Sequence, residues 1–177
     1  MAFRFNPLTP ALLAGLALLP FAARADKAAT LTPQNSALYI ANLGDGSILR
    51  CDGKTGKTLS TLGSNLNPVG LAFGPDKNLY VTSFGDGSVL RFNPANGKLL
   101  GTFIPQGRGG MAEPVTMAFG PDKNLYVGNW KNNDVRRYNG TTGAFMGVFA
   151  KKGSGGLAKP GDITFGPDGN LYVTNNS

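Results

Sequence analysis

The chain has 177 residues, a formal net charge of +7, no histidine and one cysteine. The lack of histidine excludes Ser-His-Asp and Cys-His catalysis, histidine-bound zinc and an imidazole general base. With Cys51 alone, no disulfide can form within the chain. The positive charge indicates acidic partners only weakly, because most charged residues are scattered singly, as on an ordinary solvated surface.

The first 25 residues have the pattern of a secretory signal peptide. Arg4 supplies a positive start, residues 8–22 form an apolar run, and residues 23–25 give an A-x-A cleavage signal. The run is too short, and too interrupted by proline and arginine, for a comfortable membrane span. We therefore expect residues 26–177 to be secreted, to the periplasm or the cell exterior, with no membrane span after cleavage. An uncleaved anchor is the alternative.

One nine-residue segment occurs three times in the rest of the chain. It reads FGPDKNLYV at 73–81 and again at 119–127, and FGPDGNLYV at 165–173, with a spacing of 46 residues. A fixed period in this range is the signature of a repeat architecture. Each copy joins an apolar strand to a second strand through a Gly-Pro-Asp turn. We expect Asp76, Asp122 and Asp168 to stabilise these turns, since a catalytic residue is not needed once per repeat.

Each unit is predicted to hold four short strands, because the segments are rich in Val, Leu, Tyr and Phe and bounded by turn residues. No segment after the leader has the apolar period of a helix. The two complete units predict strands at 68–73, 79–83, 88–92, 98–104, 114–119, 125–129, 134–138 and 144–150. The first unit predicts strands at 38–40, 48–51 and 57–62 after a degenerate strand near 28–31, and the last unit predicts 160–165 and 171–174.

This organisation predicts an all-β fold, a β-propeller of four-stranded antiparallel blades with about 3.5 blades present. The blades fall at about 28–67, 68–113 and 114–159, with a partial blade at 160–177. A β-solenoid is the alternative. We expect an incomplete ring, either a truncated piece or a protomer that self-associates through its open blade edges. Cys51, which aligns with Phe92 and Tyr138, is predicted to be a small buried hydrophobe.

The F-G-P-D-x-N-L-Y-V segment, the polar loop after it and the V-x-R-F/Y strand that follows resemble the NHL repeat over about residues 38–174. The resemblance implies a six-bladed, TolB-like propeller, related to gluconolactonase-like hydrolases and streptogramin B lyases. It also implies that the loops between the second and third strands of each blade share one face with the linkers between blades, and that ligands bind there. The lyases use a histidine, which is absent here. The metal-binding strand motif of the gluconolactonases has no match.

The residues that break the repeat are the candidates for ligand binding. Trp130 replaces Phe84 in one of the predicted loops, and an aromatic ring among amides suits a carbohydrate or peptide contact. Packing of Trp130 on the adjacent blade is the alternative. The candidates are Trp130, Lys131, Asn129, Asn132, Phe84 and Arg108. The expected partner is an unknown protein, peptide or carbohydrate, and no nucleic-acid-binding motif is present.

Two carboxylates on the predicted loop face, Glu113 and Asp162, also depart from the pattern. With Asn129 and Asn175 they are weak candidates for oxygen ligands of Ca²⁺, although solvated side chains are the simpler interpretation. No other cofactor is predicted. The recurring Arg50, Arg91 and Arg137 are predicted to form hydrogen bonds or ion pairs from blade to blade.

The function predicted from these observations is that of a secreted, non-enzymatic binding or scaffold module that uses its loop face. The alternative is an exported metal-dependent hydrolase or lyase of the gluconolactonase-like or streptogramin-lyase-like group. A structural repeat of the cell surface with no discrete ligand is a third class.

Overall fold

The computed structural model describes residues 37–176. This part of the chain contains thirteen β-strands joined by turns and loops. The strands are β1 (Ala37–Asn42), β2 (Ser47–Asp52), β3 (Thr58–Leu62), β4 (Pro68–Phe73), β5 (Leu79–Ser83), β6 (Ser88–Phe92), β7 (Leu99–Ile104), β8 (Pro114–Phe119), β9 (Leu125–Asn129), β10 (Asp134–Tyr138), β11 (Phe145–Ala150), β12 (Pro160–Phe165) and β13 (Leu171–Asn175). Short 3-10 turns lie at Arg108–Gly110 and Ser154–Gly156. The predicted signal peptide and the strand near 28–31 lie outside the described residues.

The strands form four antiparallel sheets in which neighbours in sequence are neighbours in space. The sheets are β1-β2-β3, β4-β5-β6-β7, β8-β9-β10-β11 and β12-β13. Each sheet is one blade, and the all-β partial propeller predicted from the repeat is confirmed. The fourth strand of each complete blade begins one residue later than predicted. The residue before it closes a turn, as Lys98 does by accepting the N–H of Asn93 (2.9 Å). Within residues 37–176 no helix is long and apolar enough to cross a membrane.

Apolar side chains fill the space between successive blades. Cys51 is buried, as predicted, with 2% of its surface exposed. The three clusters that join the blades are Ile48, Leu62, Leu79, Val81, Leu90 and Phe92; then Tyr80, Val89, Ile104, Met111, Met117, Leu125, Val127 and Tyr138; and then Tyr126, Val135, Leu157 and Ile163.

A repeated tyrosine joins each blade to the next. The ring of Tyr80 meets Phe103 of its own blade edge-on at 4.9 Å between centroids, and Phe119 of the following blade at 5.0 Å. Tyr126 repeats this geometry with Phe149 and Phe165, at 4.9 and 5.0 Å. Edge-to-face aromatic pairs add about 0.5–1.5 kcal/mol each to the burial of their area. The tyrosine and phenylalanine of the repeated segment are therefore the contacts that set one blade against another.

The hydroxyl of the same tyrosine fixes the turn that precedes it. Tyr80 donates to Asp76 Oδ2 (3.0 Å), and the same carboxylate accepts the backbone and side-chain N–H groups of Asn78. Asp122 and Asp168 make the equivalent bonds, so the turn role predicted for these aspartates is confirmed. Gly74 allows the close approach, because a Cβ there would lie 2.5 Å from the Tyr80 ring.

The strand arginine serves its own blade. Arg91 lies 3.8 Å from Asp76 and 5.9 Å from the ring centroid of Phe103, both in the same sheet. The prediction of a blade-to-blade contact is therefore wrong for Arg91. The antiparallel register places Arg91 opposite Tyr80, beside the turn of its own blade. Burial opposes ionisation of Asp76, but hydrogen bonds from Asn78 and Tyr80 and the charge of Arg91 outweigh it and lower the pKa of this carboxyl.

We expect Tyr126→Ala to lower the free energy of unfolding by about 3–5 kcal/mol, because it removes a buried ring from the contact between two blades. Tyr172→Ala is the matched control, since Tyr172 occupies the same repeat position but is 36% exposed. Urea denaturation followed by circular dichroism measures both variants. Equal losses for the two would contradict the role given to the inter-blade contact.

Candidate functional site

The loops β1–β2, β5–β6 and β9–β10 lie on one face together with the linkers between blades. Leu66 of the linker 63–67 donates its N–H to Gly46 O in loop β1–β2 (2.9 Å). Three equivalent bonds join the end of a second strand to the linker before that blade: Phe84 N donates to Asn67 O (3.0 Å), Trp130 N to Glu113 O (3.1 Å) and, after β13, Asn176 N to Lys159 O (3.0 Å). The accepting residues have left-handed φ angles of 45°, 52° and 45°. We call this side, formed by loops 42–46, 83–87 and 129–133 and linkers 63–67, 105–113 and 151–159, the loop face.

In three blades, the last residue of the second strand (β5, β9 or β13) forms a hydrogen bond with the backbone of the linker before that blade. Asn129 Oδ1 accepts the N–H of Ala112 (2.7 Å), and Asn175 Oδ1 accepts the N–H of Ala158 (3.2 Å). Ser83, at the equivalent position, donates to Leu66 O (2.6 Å). Asn129 is fully buried. Its amide therefore holds the loop face together and is not presented to a ligand, unlike the interpretation drawn from the sequence.

Trp130 is half-buried at the centre of the third loop. The Lys159 ammonium lies 5.6 Å from its ring centroid, close enough for a cation–π contact. Lys131 Nζ lies 3.9 Å from Glu113 Oε1; the Lys131 side chain is largely exposed, and that of Glu113 is 36% exposed. Asn132 donates to Gly110 O (2.8 Å). The loop thus brings together three of the candidate residues, all bonded to the neighbouring linkers.

The other two ligand candidates lie on the same face but in other segments. Phe84 is half-buried in the second loop, and Arg108 is exposed in the 3-10 turn of the linker 105–113. The carbonyl of Arg108 accepts the Tyr138 hydroxyl (3.0 Å), which anchors that linker to the third blade.

Beneath the linker lies a buried ion pair that the sequence did not indicate. Asp134 accepts two hydrogen bonds from Arg136, from Nε at 3.0 Å and from Nη2 at 2.8 Å, and one from Asn129 Nδ2 at 2.9 Å. The two charged side chains are 8% and 10% exposed. In the preceding blade the equivalent residues are Ser88 and Leu90. This departure from the repeat was the signal that could have revealed the pair.

The innermost strands β4, β8 and β12 line a concave groove of about 530 Å³. Asp162 is the one ionisable residue among those that line it. Its Oδ1 accepts the Thr116 hydroxyl (2.9 Å) and the N–H of Ile163 (2.9 Å). This carboxylate therefore connects the third blade to the fourth in the wall of the groove.

The four candidate calcium ligands have separate partners. Glu113 pairs with Lys131, Asp162 bonds Thr116, and the two asparagines bond linker N–H groups. Within residues 37–176 no group of three or more His, Cys, Asp or Glu side chains is placed to hold a metal ion. Each of the four nominated oxygen donors is therefore already engaged within the protein.

Comparison with solved structures decides the fold. Hydrazine synthase from Kuenenia stuttgartiensis superposes with a TM-score of 0.66 at 21% identity over 82% of this chain. Virginiamycin B lyase from Staphylococcus aureus gives 0.64 at 22% identity over 80%. Regucalcin from Agrobacterium tumefaciens, described as a calcium-binding protein, gives 0.60 at 24% identity over 78%. The fold is that of a β-propeller.

The chain spans less than half of each of these structures: 40% of the hydrazine synthase chain, 46% of the lyase and 49% of regucalcin. No protein-family model and no curated protein matches the sequence.

We expect Asp134→Ser to lower the free energy of unfolding by about 3–5 kcal/mol, because it leaves the Arg136 charge buried without its partner. The double variant Asp134→Ser/Arg136→Leu copies the preceding blade and should recover most of that loss. Urea denaturation of both variants and of Arg136→Leu completes a double-mutant cycle. Additive losses would show that the two side chains are not coupled.

Proposed function

We propose that the protein is a secreted, non-enzymatic binding module that recognises its ligand through the loop face around Trp130. The propeller fold supports the proposal, since its loops and linkers converge on one side. The sequence supports it as well, because the strands and turns repeat while the loops between them differ. The leader pattern at residues 1–25 supports export.

The observation that carries the proposal is the fixed position of Trp130. Its backbone N–H is bonded to Glu113 and its carbonyl to the N–H of Asn133 (3.3 Å). The Asn133 side chain in turn accepts the N–H of Lys159 (2.8 Å). A half-exposed indole on a loop already held in place loses little conformational entropy when a ligand binds. It also offers flat apolar area beside polar groups, the composition of a recognition surface.

The finer assignment is an NHL-type, six-bladed propeller of the TolB-like kind. It is supported by the repeated F-G-P-D-x-N-L-Y-V segment at a constant spacing of 46 residues, and by the turn and inter-blade contacts that this segment makes in each described copy.

A metal-dependent hydrolase or lyase is the second candidate, because virginiamycin B lyase and a calcium-binding regucalcin share the fold. Two observations weigh against it. A lyase variant with one histidine replaced by alanine is described as catalytically inactive, and this chain has no histidine. The oxygen donors nominated for calcium have separate partners.

If Trp130 anchors the ligand, Trp130→Ala should weaken binding by about 1–3 kcal/mol, the usual loss for an aromatic anchor, and leave the melting temperature nearly unchanged. Calorimetry with the tightest ligand from a panel of oligosaccharides and peptides measures the effect. Trp130→Phe, which copies Phe84, should retain part of the affinity.

Leu43 provides the matched control. It occupies the same loop position in the first blade and is 55% exposed, so Leu43→Ala should change neither binding nor stability. A large fall in melting temperature for Trp130→Ala with unchanged binding would place the indole in a structural role and refute the proposal.

Calcium titration separates the two candidate functions. The separate partners of the nominated donors predict no calcium-dependent rise in melting temperature beyond that produced by magnesium. A calcium-specific rise that disappears in Asp162→Asn, together with chelator-sensitive turnover of a lactone, would favour the enzyme.

A further inference from the structure

The charge on the loop face is unevenly distributed. The first two loops carry acidic residues, Asp45 and Asp86, and the linker 63–67 carries no charge. The third loop and the two longer linkers carry five basic residues and one acidic residue, an excess of four positive charges. We call the residues Arg108, Lys131, Lys151, Lys152 and Lys159, with Trp130 among them, the basic patch.

The basic charges are available to a partner. Arg108 and the four lysines of the patch are exposed. The acidic residue of this region, Glu113, pairs with Lys131 at a long distance of 3.9 Å, and the Lys131 side chain is largely exposed. Exposed pairs of this kind contribute little, so Lys131 can exchange its partner for a ligand carboxylate at small cost. Asp134 does not reduce the charge of the patch, because it is buried against Arg136.

The patch combines one aromatic ring with dispersed ammonium groups. Lys159 lies 5.6 Å from the Trp130 ring centroid, so an apolar surface and a positive charge meet at one point. A pyranose ring can lie against an indole through its C–H groups while an attached carboxylate pairs with the adjacent ammonium. The remaining lysines continue along the linker 151–159, where a ligand with repeated charges would meet them.

Other polyanions fit these features less well. Single-stranded nucleic acids are bound by stacking successive bases on aromatic side chains, whereas the described loop face presents Trp130 and Phe84 in separate loops. Phosphate groups are held most specifically by bidentate arginine, and four of the five basic residues of the patch are lysines.

We infer that the ligand of the loop face is an acidic polysaccharide of the uronate class, bound with a sugar ring against Trp130 and its carboxylates on the basic patch. This inference rests on the proposed binding function and adds to it the chemical class of the ligand.

The test compares two ligands with the same sugar backbone: a short oligogalacturonate of defined length and its methyl-esterified form, in which each carboxylate is a neutral ester. Calorimetry on the full chain should detect binding of the first and at least about tenfold weaker binding of the second. Affinity for the acidic form should fall as salt is raised, because exposed charges are screened within a Debye length of about 8 Å at physiological ionic strength.

A pair of charge variants locates the contact. Replacing three lysines of the patch by glutamine should weaken oligogalacturonate binding by about tenfold, or about 1.4 kcal/mol, because each exposed ion pair contributes little. The control replaces three exposed lysines in turns at the opposite ends of the strands and should bind as the wild type does. The two variants have the same net charge; they are Lys151→Gln/Lys152→Gln/Lys159→Gln and Lys54→Gln/Lys57→Gln/Lys98→Gln.

The outcomes separate the inference from the proposed function. Equal binding of the esterified ligand, equal losses in the two triple variants, or tighter binding of an RNA or an acidic peptide would each overturn the uronate assignment. If Trp130→Ala then still weakens binding of the preferred ligand, the loop-face module stands. No binding of any oligosaccharide or peptide would refute both.

Discussion

The contact between a tyrosine of one blade and a phenylalanine of the next is the interaction on which the rest of the structure depends. Tyr80 and Tyr126 each meet two rings edge-on and also hold the preceding turn through an aspartate. One side chain therefore sets the blade spacing and the turn geometry together. A single blade buries little apolar surface by itself, so its position is determined by its contacts with the neighbouring blades. The tyrosine–phenylalanine contacts therefore also determine where the loops of the loop face lie relative to one another.

The strands could be predicted almost to the residue because three copies of one segment locate the turns independently, and turn residues such as Gly and Pro delimit what lies between them. What a single strand pattern cannot show is which neighbour a side chain meets. Arg91 was predicted to reach another blade, yet the antiparallel register places it beside its own turn. Asn129 was interpreted as a ligand contact, yet it bonds the linker across 17 residues of sequence.

The ion pair of Asp134 and Arg136 was missed for a related reason. Alternation along a strand says that a residue faces inward, but it does not say whether a partner is there to neutralise its charge. Comparison of the copies carries that information, since a serine and a leucine in one blade become an acid and a base in the next. Here, two coordinated departures on one strand mark a contact between the two side chains.

The linker residues that precede each inner strand show how such a scaffold can diversify. Asn67, Glu113 and Lys159 each accept a backbone N–H of the adjacent loop with their carbonyl, in a left-handed conformation that costs a non-glycine residue roughly 1–2 kcal/mol. The carbonyl bond is common to the three positions, whereas the side chain is neutral, negative or positive in turn. Substitutions at these positions can therefore change the charge of the surface while the backbone bond to the adjacent loop is kept. The same three positions are the natural places to randomise when new specificities are engineered.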